Sequence, residues 1–519
     1  GPAGVVLTDG RYAVCLLDRN GLRPSRWVIT KDGLITLASE IGTYNYKPED
    51  VVAKGRVGPG RIVAIDTKTG ELLQTEDIDN KLKSTHPYKK WLKDNAVRVT
   101  AKLHENENEE KVVDKERLKA QMKLHQVTFE ERDQVLRPLA ETGQEATGSM
   151  GDDTPMAVLS ARVRNLADYF RQQFAQVTNP PIDPLREAVV MSLETIVGGE
   201  GNLFYPEAKH AKRIILGSPV LSPLKFKHIM SQTDPLFANA KVELSFERDQ
   251  NLKDAINAIC DQVEVLIKDG KHIIVLSDRN IGADQLMVPV LMASGAVHHR
   301  LLDKGLRADC SIILESGSIR DPHQYAVAFG FGATAVFPYL SYKVIDDLLD
   351  TKEILGDRFE LHKNYRKGIN KGIFKIMSKM GISTIASYRG AQLFEAIGLS
   401  EESSQMCFKG VTSRIKGATF EHFNQDQILL ANLAKKARKP ILQGGNLKYV
   451  HDGEYHAFNP DVVQAVQDAV QTGERKHYDR YKDLVNTRPT ATIRDLLTVK
   501  SDRSPISIDE VEPLDKMFP

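Results

Sequence analysis

Charged side chains end two buried runs near the middle of the sequence. Residues 272–279 are apolar until they finish in Ser-Asp-Arg, and residues 310–317 repeat the pattern and finish in Glu-Ser-Gly. Parallel strands bring their carboxyl ends to one edge of a sheet, where α/β enzymes bind ligands. Carboxylates beside a guanidinium could perform acid–base chemistry there. One hypothesis is a catalytic site at Asp278, Arg279 and Glu315; the other is that these residues form an ion pair or a strand cap.

Two further patterns suggest chemistry but fit a structural role better. Residues 330–335 match the dinucleotide-binding string of glycines, yet a predicted helix precedes them and a predicted strand follows. That order is the reverse of the one that brings a phosphate to a helix amino terminus. His298 and His299 are adjacent, whereas two metal ligands on one helix face need a spacing of three or four residues. We therefore predict no metal and no cofactor site on this chain.

Composition narrows the class of protein. The 519 residues are 41% hydrophobic and 27% charged with a net charge of +1, which gives no reason to expect nucleic acid or a membrane surface as partner. No apolar run approaches the ~20 residues that span a bilayer. The cysteines lack any paired spacing, which suits a reducing compartment and disfavours a zinc or iron–sulfur cluster here. They are Cys15, Cys260, Cys310 and Cys407.

Strands and helices alternate through the second half of the chain and would position the candidate site. Helices are predicted at 252–267, 285–302 and 322–329, with others at 342–352 and 364–380. Strands that are apolar on both faces and separated by helices indicate a parallel sheet. Six strands are two short of a closed eightfold barrel, so we predict an α/β, TIM-barrel-like but incomplete central domain. The predicted strands are 213–219, 241–246, 272–279, 310–317, 333–340 and 383–390.

The first 78 residues follow a different pattern. Short alternating runs are separated by Asp9-Gly10, Asn20-Gly21 and Asp32-Gly33, which favour tight hairpins because such turns need positive φ. We predict five antiparallel strands there. Residues 79–155 are strongly charged and read as a helical connector ending in a loop, and Asp183 is predicted to cap a helix over 185–196.

The amino-terminal motifs resemble a known family. Residues 17–26 (LDRNGLRPSR), 37–40 (LASE) and 57–63 (VGPGRIV) are similar to the carboxyl half of class II, Ntn-type glutamine amidotransferase domains, most closely those of glutamate synthases. That family hydrolyses glutamine with an amino-terminal cysteine, and its Asn-Gly oxyanion pair precedes the segment present here. Cys15 lies within a predicted strand and is interpreted as structural, and Asn20-Gly21 belongs to a turn. The resemblance therefore implies no glutaminase activity for this chain alone.

A longer set of motifs resembles the central domain of glutamate synthase large subunits. The opening motif is residues 148–160 (GSMGDDTPMAVLS), and residues 505–512 (PISIDEVE) resemble the lead-in to the flavin domain of the same family. The resemblance implies a parent enzyme that makes glutamate from glutamine and 2-oxoglutarate, with FMN and a 3Fe–4S cluster beyond this chain. The other similar motifs are 169–186, 200–203, 277–279, 295–299, 330–333, 375–383 and 388–392.

The resemblance implies four successive segments along the chain. We expect the end of the amidotransferase domain at 1–80, the charged connector at 81–155, the central domain at 156–440 and the flavin-domain lead-in at 441–519. The chain would link the glutaminase and flavin sites and help to wall an ammonia passage, without activity of its own. Its partners would be the rest of the large subunit and either an electron-donating small subunit or ferredoxin.

Compartment and electron donor follow from the parent. The expected location is the cytoplasm, or a plastid for a plant-type parent, and the donor stays open between NADPH, NADH and ferredoxin. The alternative hypothesis is an independent βα-barrel enzyme acting at Asp278, Arg279 and Glu315.

Overall fold

A computed structural model describes residues 3–40, 42–99, 114–148, 151–173, 175, 180–282, 284–436 and 440–517. The chain divides into two compact units. The larger comprises Gly1–Gly148 and Asn165–Gly444, and the smaller comprises Ser149–Arg164 and Gly445–Pro519. Within the described ranges, no helix is long and apolar enough to cross a membrane.

The amino-terminal part of the larger unit is antiparallel, as predicted. Its sheets have the strand orders 1-2-6-7 and 4-3-5, and their buried side chains include Cys15 and Val63. Gly10 and Gly33 have φ values of +91° and +80° in the predicted turns. Two strands were not predicted, namely the fifth and the seventh. The strands are β1 Gly4–Thr8, β2 Tyr12–Leu17, β3 Ser25–Thr30, β4 Ile35–Ala38, β5 Val51–Val57, β6 Ile62–Asp66 and β7 Glu71–Leu73.

The connector is helical where the structure describes it. Part of the strongly charged stretch at 79–155, residues 100–113, lies outside the described residues. Asp114 caps the third helix, because its carboxylate accepts hydrogen bonds from the N–H groups of Glu116 and Arg117. The elements are α1 Thr75–Ser84, α2 Tyr88–Asn95, β8 Val97–Arg98, α3 Lys115–Leu124, α4 Phe129–Glu131 and α5 Arg137–Thr142.

The helix predicted over 185–196 was wrong. Asp183 does accept from the N–H groups of Leu185 and Arg186, but the turn it starts continues only as a 3₁₀ turn at Ala188–Val190. Extended backbone follows, since Thr, Ile and Val then pair with an antiparallel neighbour. The elements of this region are β9 Phe170–Gln172, β10 Thr195–Val197, β11 Ile214–Leu216 and α6 Pro223–Met230.

A parallel sheet with the strand order 12-14-16-17 forms the centre of the larger unit. Strands 14 and 16 are buried along their whole length, as their apolar sequences predict. The helix predicted from residue 285 begins later, because residues 285–287 form a strand. The elements are β12 Asn239–Glu243, β13 Ser245–Glu247, α7 Leu252–Lys268, β14 Ile273–Ser277, β15 Gln285–Met287, α8 Val290–Asp303, β16 Ser311–Glu315, α9 Pro322–Gly330, β17 Ala335–Phe337 and α10 Tyr339–Asp350.

This parallel sheet is open in the described part of the chain, and no closed barrel forms there. The first predicted strand, at 213–219, does not join the sheet as a ladder, because β11 pairs with β10 and β8 instead. A single parallel bridge between Val220 and Val336 extends the sheet at its β17 edge. The central region is therefore mixed α/β.

The sixth predicted strand, at 383–390, was also wrong. Residues Ile385–Tyr388 form one helical turn, and only Thr384 makes a bridge, with Ser192. A four-residue apolar–polar run fits either structure, so its neighbours decide. The remaining elements of the larger unit are α11 Arg358–Lys379, α12 Ile385–Tyr388, β18 Phe394–Ala396, α13 Glu401–Cys407, β19 Thr412–Ser413 and α14 Phe420–Lys435.

The smaller unit consists of helices and turns. Asp153 and His456 join its two chain segments, with 2.8 Å between the carboxylate Oδ1 and the ring Nδ1. Glu454 is buried and accepts from Ser160 at 2.6 Å and from Arg164 at 3.3 Å. The helices of the smaller unit are α15 Pro460–Thr472, α16 Arg475–Asn486 and α17 Leu514–Met517.

Candidate functional site

The structure brings the three predicted residues together at the carboxyl edge of the parallel sheet. Ser277 on β14 is in register with Glu315 on β16, which places the two polar strand ends side by side. Asp278 donates its N–H to the carbonyl of Glu315 at 3.1 Å. The Arg279 guanidinium reaches the Glu315 carboxylate at 2.9 Å. The parallel pairing of β14 with β16 therefore brings the three side chains together.

Glu315 is fully buried and accepts hydrogen bonds from three side chains. Its carboxylate accepts from Lys241 Nζ at 2.5 Å, from Ser277 Oγ at 2.8 Å and from Arg279 Nη1 at 2.9 Å. Burial acts to raise the pKa of Glu315, but the hydrogen bonds from these three residues lower it below its ordinary value. The group is a charged, immobilised acceptor, which suits an ion-pair role better than proton transfer.

Asp278 differs from Glu315 although it lies beside it. Its carboxylate accepts from Ser316 Oγ at 2.6 Å and from Gly317 N–H at 2.8 Å. Burial nevertheless raises the pKa of Asp278 to about 7, because the side chain is removed from solvent and its charged form is disfavoured there. This group can hold or release a proton near neutral pH.

Two aromatic residues that the sequence did not indicate complete the cluster. His125 Nε2 lies 3.7 Å from Asp278 Oδ1 and 3.0 Å from the Tyr339 hydroxyl, and its Nδ1 lies 2.8 Å from Ser318 Oγ. Burial lowers the pKa of His125 to about 3, so the ring is neutral. His125 comes from the charged connector, more than a hundred residues before the strands. The sequence around it does not indicate that it lies at this edge of the sheet.

Helix α3 covers this edge of the sheet. Gln121 donates to the carbonyl of Arg279 at 3.1 Å and accepts from Lys343 Nζ at 2.9 Å. Burial lowers the pKa of Lys343 to about 8. The carbonyl of His125 accepts from Arg320 at 3.0 Å. Side chains of the chain itself therefore occupy the position where an α/β fold ordinarily receives a ligand.

The other sequence candidates lie apart from this cluster. His298 accepts from Arg307 Nε at 2.9 Å and His299 Nε2 lies 3.1 Å from Gln392, so the two rings have separate structural partners. Helix α9 ends at Gly330 and β17 follows, so the glycine string opens a strand as predicted.

The chain was compared with known proteins. Residues 120–400 match the family described as the glutamate synthase central domain, and residues 1–91 match class II glutamine amidotransferases. A ferredoxin-dependent glutamate synthase of Antithamnion sp. is 38% identical over 100% of this chain and 34% of its own length. The NADPH glutamate synthase large chain of Bacillus subtilis is 35% identical over 99% of this chain and 33% of its own length. The NADH enzyme of Saccharomyces cerevisiae is 37% identical over 99% and 25%.

An antiparallel amidotransferase segment followed by an α/β central region defines the class of this protein. With these matches the chain belongs to the glutamate synthase family, which confirms the resemblance seen in its motifs. The chain spans about a third or less of the length of these relatives. Among solved structures, a mandelate oxidase mutant has a TM-score of 0.24 at 11% identity, over 47% of this chain and 92% of that one, too low to bear on the fold.

Neither the four cysteines nor the glycine string at 330–335 fits a metal cluster or a flavin phosphate. The four cysteines are buried and far apart in sequence, and burial raises the pKa of Cys260 and Cys310 to about 11, which disfavours the thiolate a metal needs. In the described ranges, no group of three or more His, Cys, Asp or Glu could hold a metal ion. The glycine string has the wrong strand–helix order for a phosphate.

Proposed function

We propose that this chain is the central part of a glutamate synthase large subunit. The observation that carries the proposal is its 38% identity, from end to end of this chain, to one third of a ferredoxin-dependent glutamate synthase. In this proposal residues 1–80 end the amidotransferase domain and 81–155 connect it to a barrel-like central domain at 156–440. Residues 441–519 lead into the flavin domain.

The parent would transfer the amide nitrogen of glutamine to 2-oxoglutarate. Water hydrolyses the glutamine amide to glutamate and ammonia, and ammonia condenses with the 2-oxoglutarate carbonyl with loss of water. Two electrons and two protons then reduce the imino acid to a second glutamate. FMN and a 3Fe–4S cluster would bind to the parent outside this chain, and NADPH, NADH or ferredoxin would supply the electrons. The parent would work in the cytoplasm, or in a plastid if it is plant-type.

The role of this chain would be to hold the two active sites apart and to wall the ammonia passage between them. The contacts of Glu315 with Lys241, Arg279 and Ser277 support that reading, because three donors of the chain itself already hold this buried carboxylate in an ion-pair network. Coverage of the sheet edge by α3 supports it as well.

The first test uses the purified chain. Incubation with glutamine should release no ammonia, and gel filtration after mixing with FMN should leave no stoichiometric flavin on the protein. Turnover of glutamine, or flavin retained at one equivalent, would contradict the proposal. A second test replaces the matching segment of the Bacillus subtilis large chain by this one. The hybrid should form two glutamates from each glutamine without free ammonia, and release of ammonia to the solvent would contradict the passage role.

One observation favours the alternative of an independent enzyme. Asp278, whose pKa burial raises to about 7, lies 3.7 Å from the neutral ring of His125, and such a pair could shuttle a proton. Under this alternative, Asp278→Asn would abolish an activity found by screening small carbonyl substrates. Under the main proposal the screen finds no activity that depends on Asp278.

A further inference from the structure

Glu200 is surrounded by three arginines from separate parts of the larger unit. Arg389 Nη2 donates to its carboxylate at 2.6 Å, and Arg213 Nη2 donates to its carbonyl oxygen at 2.6 Å. The Glu200 N–H donates to the carbonyl of Ala308 at 2.5 Å, which brings the neighbouring Arg307 to the same place. Two of the family motifs, residues 200–203 and 388–392, thus meet in one ion pair.

Arg307 has only neutral acceptors. Its Nε donates to His298 Nδ1 at 2.9 Å, and its two terminal nitrogens donate to the carbonyls of Cys310 at 2.7 Å and Gly332 at 2.8 Å. The His298 ring in turn lies against Gly390, where an added Cβ would come within 3.3 Å of it. His298 therefore links Arg307 to the residue that follows Arg389.

Positive charge exceeds negative charge in this cluster. Burial lowers the pKa of Arg213, and Arg389 lowers it further while Glu200 raises it. For Arg307 burial is again the largest cause and lowers the pKa; Arg389 lowers it as well, while Cys310 and Glu200 raise it. One carboxylate facing three partly buried guanidinium groups leaves an excess of positive charge, which is unfavourable in a poorly solvated place unless an anion balances it.

Two of the arginines keep unused donors. In the described part of the larger unit, Nε and Nη1 of Arg389 and Nη1 of Arg213 donate to no protein atom. The Arg389 side chain is 22% exposed and that of Glu200 is 40% exposed, so a small ion can reach the cluster from solvent.

We propose that Arg213, Arg307 and Arg389 form a binding site for a small oxyanion beside Glu200. The unused N–H groups of Arg389 and Arg213 would bond the oxygens of the anion, since a guanidinium fork matches a carboxylate or a phosphate group. Arg307, whose donors are all engaged, would contribute its charge alone. The site goes beyond the proposed function and stands or falls independently of it, because it involves neither glutamine nor flavin.

Inorganic phosphate and succinate serve as probes, one for each source of an oxyanion. The thermal unfolding of the whole 519-residue chain is followed in each anion, with chloride at equal ionic strength as the reference. Tm should rise with the concentration of phosphate or succinate and then level off. The anion that causes the larger rise in Tm identifies the kind of group that the site prefers. Equal effects of all three anions would overturn the proposal.

Three variants test whether these residues bind the anion. Arg389→Gln should lower the affinity for the anion about tenfold, in line with the loss of a charge-assisted hydrogen bond. Arg389→Lys keeps the charge but loses the fork and should fall between that variant and wild type. Glu200→Gln removes the competing carboxylate and should tighten binding, a change that a purely structural ion pair would not produce.

Arg300→Gln is the matched control. Arg300 is also partly buried, but it pairs with Asp261 at 2.5 Å and has Glu264 at 3.9 Å, so its charge is already balanced. Its replacement should leave the anion affinity unchanged. Tm without anion, measured for every variant, separates loss of folding from loss of binding. An unchanged affinity in Arg389→Gln, or a weaker one in Glu200→Gln, would overturn the proposal.

Discussion

Asp278 and Glu315 are both buried at the same sheet edge, yet their surroundings move their pKa values in opposite directions. Lys241 and Arg279 lower the pKa of Glu315, while Asp278 lies beside a neutral His125 and has its pKa raised to about 7 by burial. Neighbouring carboxyl groups of one fold can therefore hold different protonation states at neutral pH. The raised pKa of Asp278 and the lowered pKa of Glu315 each affect the stability of the folded protein.

Asp278→Asn should change the pH dependence of folding. Because the folded pKa of Asp278 lies above its unfolded value of 3.8, its contribution to stability is complete below about pH 4 and is lost as pH rises through about 7. Between pH 5 and pH 8 wild type should lose about 2–3 kcal/mol relative to the variant. Urea unfolding at a series of pH values measures this difference.

His125 also makes the stability depend on pH, so the effect of Asp278 is obtained as the difference between wild type and Asp278→Asn. Burial lowers the pKa of His125 to about 3, so its own contribution to stability rises with pH up to its ordinary pKa and opposes that of Asp278. Both proteins contain His125, so subtraction removes it. Asp452→Asn, at a side chain that is 90% exposed, is the control and should leave the slope unchanged. Parallel curves for wild type and Asp278→Asn would show that the Asp278 pKa is not raised.

Glu315→Gln should destabilise the larger unit. The amide leaves Lys241 and Arg279 without their counter-charge, at side chains that are 31% and 37% exposed, so a loss of about 2–3 kcal/mol is expected. Chemical denaturation measures it. The control is Glu395→Gln, whose partner Arg414 is 78% exposed and lies 3.6 Å away, with an expected loss under about 0.5 kcal/mol. Equal losses in the two variants would contradict the ion-pair role of Glu315.

At the scale of elements, two helices show how packing overrides local preference. Helix α3 covers the sheet edge through Gln121 and through His125 at its end, although its sequence reads as a solvated helix. Helix α8 carries Gly295 in its middle, where glycine costs about 1 kcal/mol relative to alanine. The reason lies in α13: a Cβ at Gly295 would stand 1.9 Å from the carbonyl oxygen of Cys407.

Gly295→Ala should therefore destabilise the protein despite its better helix propensity. The new methyl group cannot coexist with the Cys407 carbonyl, so α13 must move away from α8, at about 2–4 kcal/mol. Gly217→Ala is the control, because nothing lies within 4 Å of a Cβ there. Thermal unfolding should distinguish the two, and a stabilised Gly295→Ala would show that the helices are not in close contact.

At the scale of the whole molecule, the two units are held together internally by different means. The larger one has an extensive apolar core around the parallel sheet, with β14 and β16 fully buried. The smaller one relies on polar contacts between its two segments. Both ring nitrogens of His456 lie 2.8 Å from oxygen atoms, one of the Asp153 carboxylate and one of the Gly445 carbonyl.

His456→Ala should loosen the smaller unit alone. It leaves Asp153 without its side-chain partner, and amide hydrogen exchange should speed up over 151–164 and 445–460 while β14 and β16 stay protected. His451→Ala, at a side chain that is 87% exposed, should change neither region. Faster exchange throughout the chain would contradict the separation into two units.

The sequence alone was sufficient for features that rest on local patterns. The Asp-Gly turns indicated the amino-terminal hairpins, and the buried runs at 272–279 and 310–317 predicted parallel strands. Their shared period placed Asp278 and Glu315 at one edge. The motifs also identified the family, since they are ungapped strings that need no structure to compare.

The tertiary structure decided what depends on residues far apart in the chain. Local pattern did not separate helix from strand at 383–390, and it did not indicate that His125 would lie against Asp278 or that Arg213, Arg307 and Arg389 would gather around Glu200. A side chain's partners, and hence its charge state and exposure, are set by the packing of whole elements, to which neighbours in sequence contribute little.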